Sequence, residues 1–477
     1  VNVDAALPRE WLRRAAAIVG EGNLVTGTDA LQPYSHDEYP LSTYARIPEA
    51  VVRPGNEEEV AGIVRLCAET GVPVTPVGAR TGLAGGCIPA PGGIGLSVER
   101  LTRVLDMDRV NHTITLEAGV ALKVLYEAAD SMGLFFPPHP GEEGATIGGA
   151  VAANAGGART VKYGTVKRFV QGLRVVLASG QTLELGGKYQ KSSSGYSLLP
   201  LFIGSEGTLG VITSVTLALV PRPGVVNTLV APFASVGAAA AAVTEILASG
   251  IAPAAVELVE EVVIAAAETY LKRSWPAKQG AAQLMVILDA RTEEDLLQQE
   301  ELLAEKLAQA GALEILVAES AARQAEILQL RSVMYEALRP QTVEILDVCV
   351  PRSEFAAHVE LVHALEREHD IPIAVVGHAA DGNVHAQILR RRVVAGAFAE
   401  EVPNWQSKVA LVRDAILLDA KRRGGVISGE HGIGQAKRGL LVLDVGERAV
   451  EIMRGIKGVL DPQGIMNPGK VLPPSPG

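Results

Sequence analysis

The 477-residue chain reads as an α+β protein of more than one domain. Three observations predict this. A strand–helix–strand unit opens with EAVVRP, continues through NEEEVAGIVRLCAETG and closes with VPVTPVG. Beyond PRPG (221–224), short strands alternate with helices in the manner of an antiparallel sheet with helices packed on one face. Between these regions lie stretches so rich in Gly, Ala and Asn that side chains build little core there. Close approach of the backbone to a ligand or to another backbone is the physical reason for residues so small.

Composition narrows the function. Hydrophobic residues make up 48% and charged residues 20%, the balance of a globular protein. A net charge of −11 with no basic tract argues against a nucleic-acid partner. The three cysteines, Cys67, Cys87 and Cys349, are too few and too scattered for a disulfide framework or for an iron–sulfur cluster of the chain's own, so a reducing, cytoplasmic setting is expected. REWLRRAAAIV reads as an amphipathic surface helix after an irregular start, within an approach spanning 1–45, and not as a targeting signal. The longest apolar run, 229–243, is broken by Pro232, Ser235 and Gly237 and is no membrane span. There is no low-complexity segment or internal repeat.

In the first region, Asn56 is placed to cap the helix that follows, acids fill its first turn and Gly71 ends it. The next strand leads into GARTGLAGG (78–86). Repeated Gly lets backbone N–H groups crowd around an anion, and Thr81 adds a hydroxyl. The loop lacks GxGxxG, and no GK[ST] occurs in the chain, so neither a dinucleotide fingerprint nor a P-loop is present; a plain tight turn accounts for the loop equally well. GGIGLSVERL, TITLEAGV and the helix ALKVLYEAADSMG follow. The Gly/Ala/Asn-rich stretch 137–170 comes next, then the hairpin GLRVVLASGQTLEL with Ser-Gly at its turn. LFIGSEGTLGVITSVTLALV is a Gly-rich turn into a long strand, and Glu206-Gly207-Thr208 is a third place where main chain can wrap a cofactor.

In the second region, helices are expected over 236–249, 260–272, 293–310 and 320–338, with a further one over 406–423. Arg331 lies in the fourth of these, either a solvated surface charge or a bidentate clamp on a carboxylate. The densest cluster of chemistry comes last. IPIAVV and VHAQIL read as two strands joined by AADGN, a hairpin that brings His378 and His385 together at its mouth and sets Gln387 on the face of His385. Two imidazoles so placed make half of a metal site. Downstream, SGEHGIG offers Glu430 as a carboxylate and His431 as a base; in extended chain the two point to opposite sides. Two histidines seven residues apart are also often unrelated.

Six stretches, in order, resemble one family: PVGARTGLAGG, TIGGAVAANAGG with KYG, IGSEGTLGVIT, GHAADGNVH, SGEHGIG and DPQGIMNPGK. The chain resembles the FAD-linked oxidases of the vanillyl-alcohol-oxidase (PCMH) type, and within them the group of D-lactate dehydrogenase, the glycolate oxidase FAD subunit and D-2-hydroxyglutarate dehydrogenase. The resemblance spans nearly the whole chain. It implies a PCMH-type FAD-binding domain of two α+β subdomains over 1–224, a substrate-binding cap domain with antiparallel sheet and helices over 225–425, and a C-terminal segment, 426–477, that completes the active site and packs on the FAD domain.

The resemblance also implies site residues. FAD, held non-covalently, would meet Pro76, Gly78, Arg80, Thr81, Gly82, Gly85 and Gly86 around its pyrophosphate. The flavin would meet Pro140, Gly141, Thr146, Gly148, Asn154, Gly157, Tyr163 and Gly164, then Glu206, Gly207, Gly210, Val211 and Ile212, with Asn467 added. A divalent metal (Zn, Mn or Fe) would be held by His378, His385 and Glu430. His431 would be the base, Arg331 would grip the substrate carboxylate, and Gln387 would touch substrate.

This sequence departs from the family pattern at several positions. Arg80 stands where Gly is usual, His139 where Asp is common, Ala150 where Asn is frequent, Ala380 where the hairpin has Gly, and Gln387 where Asn is usual. Ile345 occupies the position at which the D-2-hydroxyglutarate enzymes carry a lysine for the second carboxylate. The implied activity is therefore oxidation of a small D-2-hydroxy acid, D-lactate or glycolate, to the 2-oxo acid, and a D-2-hydroxyglutarate dehydrogenase is disfavoured. Electrons pass to an external acceptor: an electron-transfer flavoprotein, an iron–sulfur subunit, a quinone or a cytochrome. The alternative is an FAD catalytic subunit of a multi-subunit glycolate oxidase or of a flavoprotein-coupled lactate dehydrogenase. A homodimer, or membership of a complex peripherally attached to the membrane through a partner, is expected.

Overall fold

A computed structural model describes residues 7–40, 44–318 and 320–474. The chain forms two compact units, the first from Val1–Ala155, Thr165–Arg222 and Glu430–Gly477, the second from Gly156–Gly164 and Pro223–Gly429.

The first unit holds two sheets. Strands β1 (Leu24–Val25), β2 (Ala50–Val52), β3 (Val74–Val77) and β4 (Ile94–Ser97) form one, in the order β1-β2-β4-β3, with β2 and β3 both parallel to β4. The helix Glu57–Thr70 crosses from β2 to β3. Its cap is as expected: Asn56 Oδ1 accepts from Glu59 N at 2.9 Å, Glu59 reaches back to Gly55 N at 2.7 Å, and Gly71 closes the helix in the left-handed conformation. The amphipathic helix Arg9–Val19 lays Trp11, Ala15 and Val19 on this core. Pro76 cannot donate to a ladder and sits on the edge strand β3. That edge is covered by the C-terminal segment, where Val74 N donates to Ile465 O and Asn467 N donates to Val74 O.

The second sheet joins β5 (Val104–Asp108), β6 (Thr113–Glu117), β8 (Val170–Val176), β9 (Thr182–Gly186) and β10 (Val211–Ala218) in the order β5-β6-β10-β8-β9, all antiparallel. The Ser179-Gly180 turn joins β8 to β9 as read from the sequence, with Gly180 at φ +75°. A short pair, β7 (Leu134–Phe135) with β11 (Val220–Pro221), completes the unit's strands.

The second unit is built on one seven-stranded antiparallel sheet. Its strands are β12 (Val225–Phe233), β13 (Ala255–Glu260), β14 (Ala282–Ala290), β15 (Leu316–Val317), β16 (Thr342–Cys349), β17 (Ile373–His378) and β18 (Asn383–Leu389), ordered β15-β12-β14-β13-β17-β18-β16. β19 (Arg391–Val394) and β20 (Ala397–Glu401) add a separate hairpin. Helices do not lie on one face only. Every residue of β13, β17 and β18 is buried, so both faces are covered. On one face Val230, Val259, Met285, Ala374 and Val376 pack under the helices Glu261–Leu271, Ala321–Ser332 and Met334–Leu338. The helices Val236–Ala248, Glu293–Gln309 and Phe355–His369 pack together on the other side of the strands. The helix expected over 320–338 is broken at Val333 into two. Residues 156–164, assigned from sequence to the first region, lie in the second unit. There Tyr163 OH donates to Asp289 at 2.5 Å and Lys162 pairs with the same carboxylate.

Candidate active site

In the first unit two of the three Gly-rich stretches meet at one residue, Asn467. Its side-chain amide donates to Gly86 O at 2.9 Å and to Glu206 O at 2.7 Å, tying the 78–86 loop to the 206–208 turn. Glu206, itself left-handed at φ +51°, accepts from Ile433 N and Gly434 N at 2.8 Å each, so the end of SGEHGIG is fastened to the same place. Burial pushes the Glu206 carboxyl up to about 7 against those two N–H groups. The loop has a second anchor that sequence reasoning missed. Buried Asp37 accepts from Gly85 N at 2.7 Å and Tyr39 N at 3.1 Å, and burial raises it to about 6. It follows a single Ser-His pair with no motif around it, and nothing local marks it.

The third stretch joins through Thr146. This residue caps the helix Ile147–Ala153 by accepting from Gly149 N, and a side chain at Gly78 would come within 2.5 Å of its Oγ1. Gly78 is therefore small because protein touches it. Gly141 differs: it is exposed at φ +89° and has nothing within 4 Å of where a Cβ would stand. That open, left-handed position beside Pro140 leaves backbone available to a ligand, and exposed Gly82 meets only Asp37. Asn154 ends the helix left-handed, its Oδ1 accepting from Thr165 Oγ1 at 2.9 Å. Gly148, Gly210, Val211 and Ile212 are buried, the last three at the entry to β10, while Gly207 lies against Pro76.

Two departures from the family pattern have a physical account here. Arg80 holds the left-handed backbone (φ +65°) that a glycine takes freely, and its guanidinium lies over the Tyr34 ring at 4.9 Å. His139 stacks on Tyr126, the rings 5.4 Å apart and nearly parallel. Open backbone at Gly82 and at Gly141, half-exposed Thr81 next to Gly82, and buried Lys470 close to the 78–86 loop fit a large anionic cofactor. Of the other cofactor candidates, Gly157, Tyr163 and Gly164 lie in the second unit.

In the second unit one sheet face turns from apolar to polar along its strands. His378 pairs with Glu257 of β13 and with Asn383 of β18, while His385 pairs with Val376 and Asp347. The histidines are thus diagonal neighbours, with ring centroids 5.2 Å apart, edge to face, and ligand atoms within 4.8 Å of each other. Both are nearly buried, at 9% and 8% exposure.

Each histidine has a carboxylate beside Nδ1. Glu257 Oε1 is 2.6 Å from His378 Nδ1, and Asp347 Oδ1 is 3.7 Å from His385 Nδ1. Sequence reasoning found the histidines but neither acid, because VELVE and ILDVC read only as buried strands. Burial alone would raise Glu257, but His378 and Arg331 outweigh it and hold the carboxyl down at about 2. Arg331 is not a solvated surface charge: its Nε donates to Glu257 Oε2 at 2.9 Å and its Nη2 to the same oxygen. Nη1 has no hydrogen bond among the described residues, and the side chain is 20% exposed.

Gln387 stands on the same face as His385, as the alternation predicts. It is 2% exposed, its Oε1 is 3.3 Å from Thr342 Oγ1, and it lies opposite Ile345. Asp347 also fixes the chain that leads to SGEHGIG. Its carboxylate accepts from Ser428 Oγ at 3.0 Å and Asn383 Nδ2 at 2.8 Å, and its carbonyl accepts from Gly429 N at 2.9 Å. Glu430 and His431 follow at once and open the last stretch of the first unit. They lie in a bend and not in extended chain, so the strand alternation expected for them does not apply.

Comparison with known proteins identifies the family. Residues 48–186 match the FAD binding domain and residues 222–471 the C-terminal domain of the FAD linked oxidases. The chain is 38% identical over 455 residues to the D-lactate dehydrogenase of Anaerostipes hadrus, covering 94% of each chain. It is 34% identical over 450 residues to the glycolate oxidase subunit GlcD of Bacillus subtilis, covering 92% of this chain and 91% of that one. The structure of p-cresol methylhydroxylase with substrate bound superposes with a TM-score of 0.77 at 17% identity, covering 97% of this chain and 96% of that one, which establishes the PCMH-type fold. With both family domains matched in this chain, it belongs to the FAD-linked oxidases and is an FAD-binding oxidoreductase.

Proposed function

We propose that this protein oxidises a small D-2-hydroxy acid, D-lactate or glycolate, to the 2-oxo acid, using non-covalent FAD and a divalent metal (Zn, Mn or Fe). The observation that carries this reading is the pair of buried imidazoles, His378 and His385, each with a carboxylate at Nδ1. The Glu257 carboxylate, hydrogen-bonded at His378 Nδ1, fixes the N–H there and turns Nε2 outward as a lone pair, the arrangement of metal-ligating histidines, while Asp347 stands 3.7 Å from His385 Nδ1 and acts on it through charge. Glu430, next in the chain after Ser428-Gly429, is the third ligand in this reading. His431 accepts the hydroxyl proton. The free Nη1 edge of Arg331 meets the substrate carboxylate, and Gln387 presents its amide to substrate. When bound, the metal supplies Lewis acidity at the substrate oxygen and FAD accepts the hydride equivalent.

In the same reading the N-terminal region to residue 224 holds FAD, residues 225–425 hold substrate and 426–477 complete the site. The pyrophosphate lies against 78–86 and the flavin against Pro140–Gly141, Asn154 and the 206–212 turn. Ile345 opposite Gln387 supports a monocarboxylate.

With three scattered cysteines, electrons leave through an external acceptor: an electron-transfer flavoprotein, iron–sulfur subunit, quinone or cytochrome. Kinship to a glycolate oxidase subunit favours a second reading, in which the chain is the FAD subunit of such a complex. We place the protein in the cytoplasm as a homodimer or complex subunit, with any membrane association made through a partner. Among the described residues no helix is long and apolar enough to cross a membrane.

The test is anaerobic flavin bleaching by D-lactate, L-lactate, glycolate and D-2-hydroxyglutarate, before and after chelation. Bleaching by D-lactate or glycolate, lost with chelator and restored by Mn²⁺ or Zn²⁺, is expected. Bleaching indifferent to chelator removes the metal from the reading, and a His431→Ala protein reduced at the normal rate removes the base. Turnover of the isolated chain with an artificial dye separates a self-sufficient enzyme from an obligate subunit.

A further inference from the structure

One carboxylate on the polar end of the second unit's sheet serves two functional side chains at once. Glu257 is fully buried. Its Oε1 takes His378 Nδ1 at 2.6 Å, and its Oε2 takes both Nε and Nη2 of Arg331. His378 sits directly across from it in the β13–β17 register, whereas Arg331 arrives from the helix Ala321–Ser332. A buried carboxylate with both oxygens engaged cannot rotate toward one partner without abandoning the other. The imidazole and the guanidinium are therefore held at one fixed separation by a single side chain.

Resting on the reading above, in which His378 ligates the metal and Arg331 meets the substrate carboxylate, we propose that Glu257 is the positioning residue that sets one relative to the other. Its hydrogen bond keeps His378 with Nε2 as the lone pair. By occupying the Nε/Nη2 edge of Arg331, it leaves Nη1 as the end that meets substrate. Glu257 thereby spaces the hydroxyl-binding and carboxylate-binding halves of the site, the two ends of a 2-hydroxy acid.

The test uses the FAD-loaded protein stripped of metal. Mn²⁺ or Zn²⁺ titration gives metal affinity. With each variant then saturated with the metal, the D-lactate dependence of anaerobic flavin reduction gives half-saturation and limiting rate. Glu257→Gln keeps the shape and loses the charge; metal affinity is expected to fall about 10–100-fold, and half-saturation to rise at least about tenfold. The second result is decisive in sign. Removing a negative charge beside Arg331 would by electrostatics alone tighten carboxylate binding, so weakening reports lost orientation. In an Arg331→Met background the effect of Glu257→Gln on half-saturation should vanish while its effect on metal affinity persists. Glu257→Asp, which keeps the charge and shortens the reach, should show both losses in milder form and serves if the Gln variant does not fold.

Metal affinity changed less than about threefold in Glu257→Gln overturns the proposal, as does loss of metal with half-saturation unmoved. A wild-type protein that neither binds metal nor reduces its flavin overturns the reading of the whole site. A wild-type protein that does both, beside an unaffected Glu257→Gln, overturns the role of Glu257 alone.

Discussion

Tyr163 and Asp289, 126 residues apart in the chain, are joined by a hydrogen bond of 2.5 Å from the phenol to the carboxylate. Burial and Asp289 both push the Tyr163 hydroxyl above its ordinary range, so it stays a donor. Tyr163→Phe removes a hydrogen bond to a charged group and should cost about 1.5–3 kcal/mol of stability. FAD content should not change, because the hydroxyl is committed to protein. Thermal unfolding beside flavin absorbance checks both; loss of FAD at unchanged Tm would show that the hydroxyl serves the cofactor instead.

His363 is clasped from both sides, Nε2 on Glu260 at 2.6 Å and Nδ1 on Glu366 at 2.9 Å. Burial alone would lower its pKa, but the two carboxylates raise it to about 10. Its folded value lies above the unfolded one of about 6.5. The stability it contributes is therefore complete below about pH 6.5 and is lost as pH rises toward 10. Wild type should lose on the order of 3 kcal/mol more than His363→Gln across that window. Urea midpoints at pH 6.5, 8 and 9.5 measure this, and parallel pH profiles for the two proteins would contradict it.

Gly78 and Thr146 are packed so closely that a Cβ at 78 would stand 2.5 Å from the threonine hydroxyl. Gly78→Ala should displace that hydroxyl from Gly149 N, costing about 1 kcal/mol for the lost cap. Apparent FAD affinity should weaken with it, since the cap and the Gly-rich loop both border the proposed cofactor site. Thr146→Ser keeps the cap and should keep FAD. A flavin titration separates the pair.

Ile345 faces Gln387 across the β16–β18 register and is 3% exposed. If the site takes hydroxy acids, Ile345→Lys should raise kcat/KM for D-2-hydroxyglutarate relative to D-lactate by at least about tenfold, one new charged hydrogen bond's worth. Overall stability should fall, because the lysine is buried when no second carboxylate pairs it. An unchanged ratio in a folded variant would remove this position from substrate selection.

The histidine hairpin was legible in the chain because its signal is local: an Asp-Gly turn between two apolar runs fixes which side chains alternate together. The Asn56 cap and the Ser179-Gly180 turn were legible for the same reason. Glu257, Asp347 and Asp37 were not. Each is a single acid whose partner lies far along the chain, Glu257 with Arg331 74 residues on and Asp37 with Gly85 48 residues on. That helices cover both faces of the second sheet was missed because strands buried on both sides show no alternation to read. Residues 156–164 join the second unit through Lys162 and Tyr163 at Asp289 and through Ala158 and Tyr163 on its core, and no composition change marks them.

The edge of β3 is closed by Ile465 and Asn467, and 381 residues separate Gly86 from the Asn467 amide that fastens it. On a ribosome adding about 5–20 residues per second, that interval lasts about 20–80 s. Throughout it the Gly-rich loop lacks its fastening, and within it the second unit, nearly continuous in the chain, acquires all its strands. The order of assembly is thus fixed by the path of the chain. The seven strands of the second unit are all made before Asn467 is available to fasten the 78–86 loop.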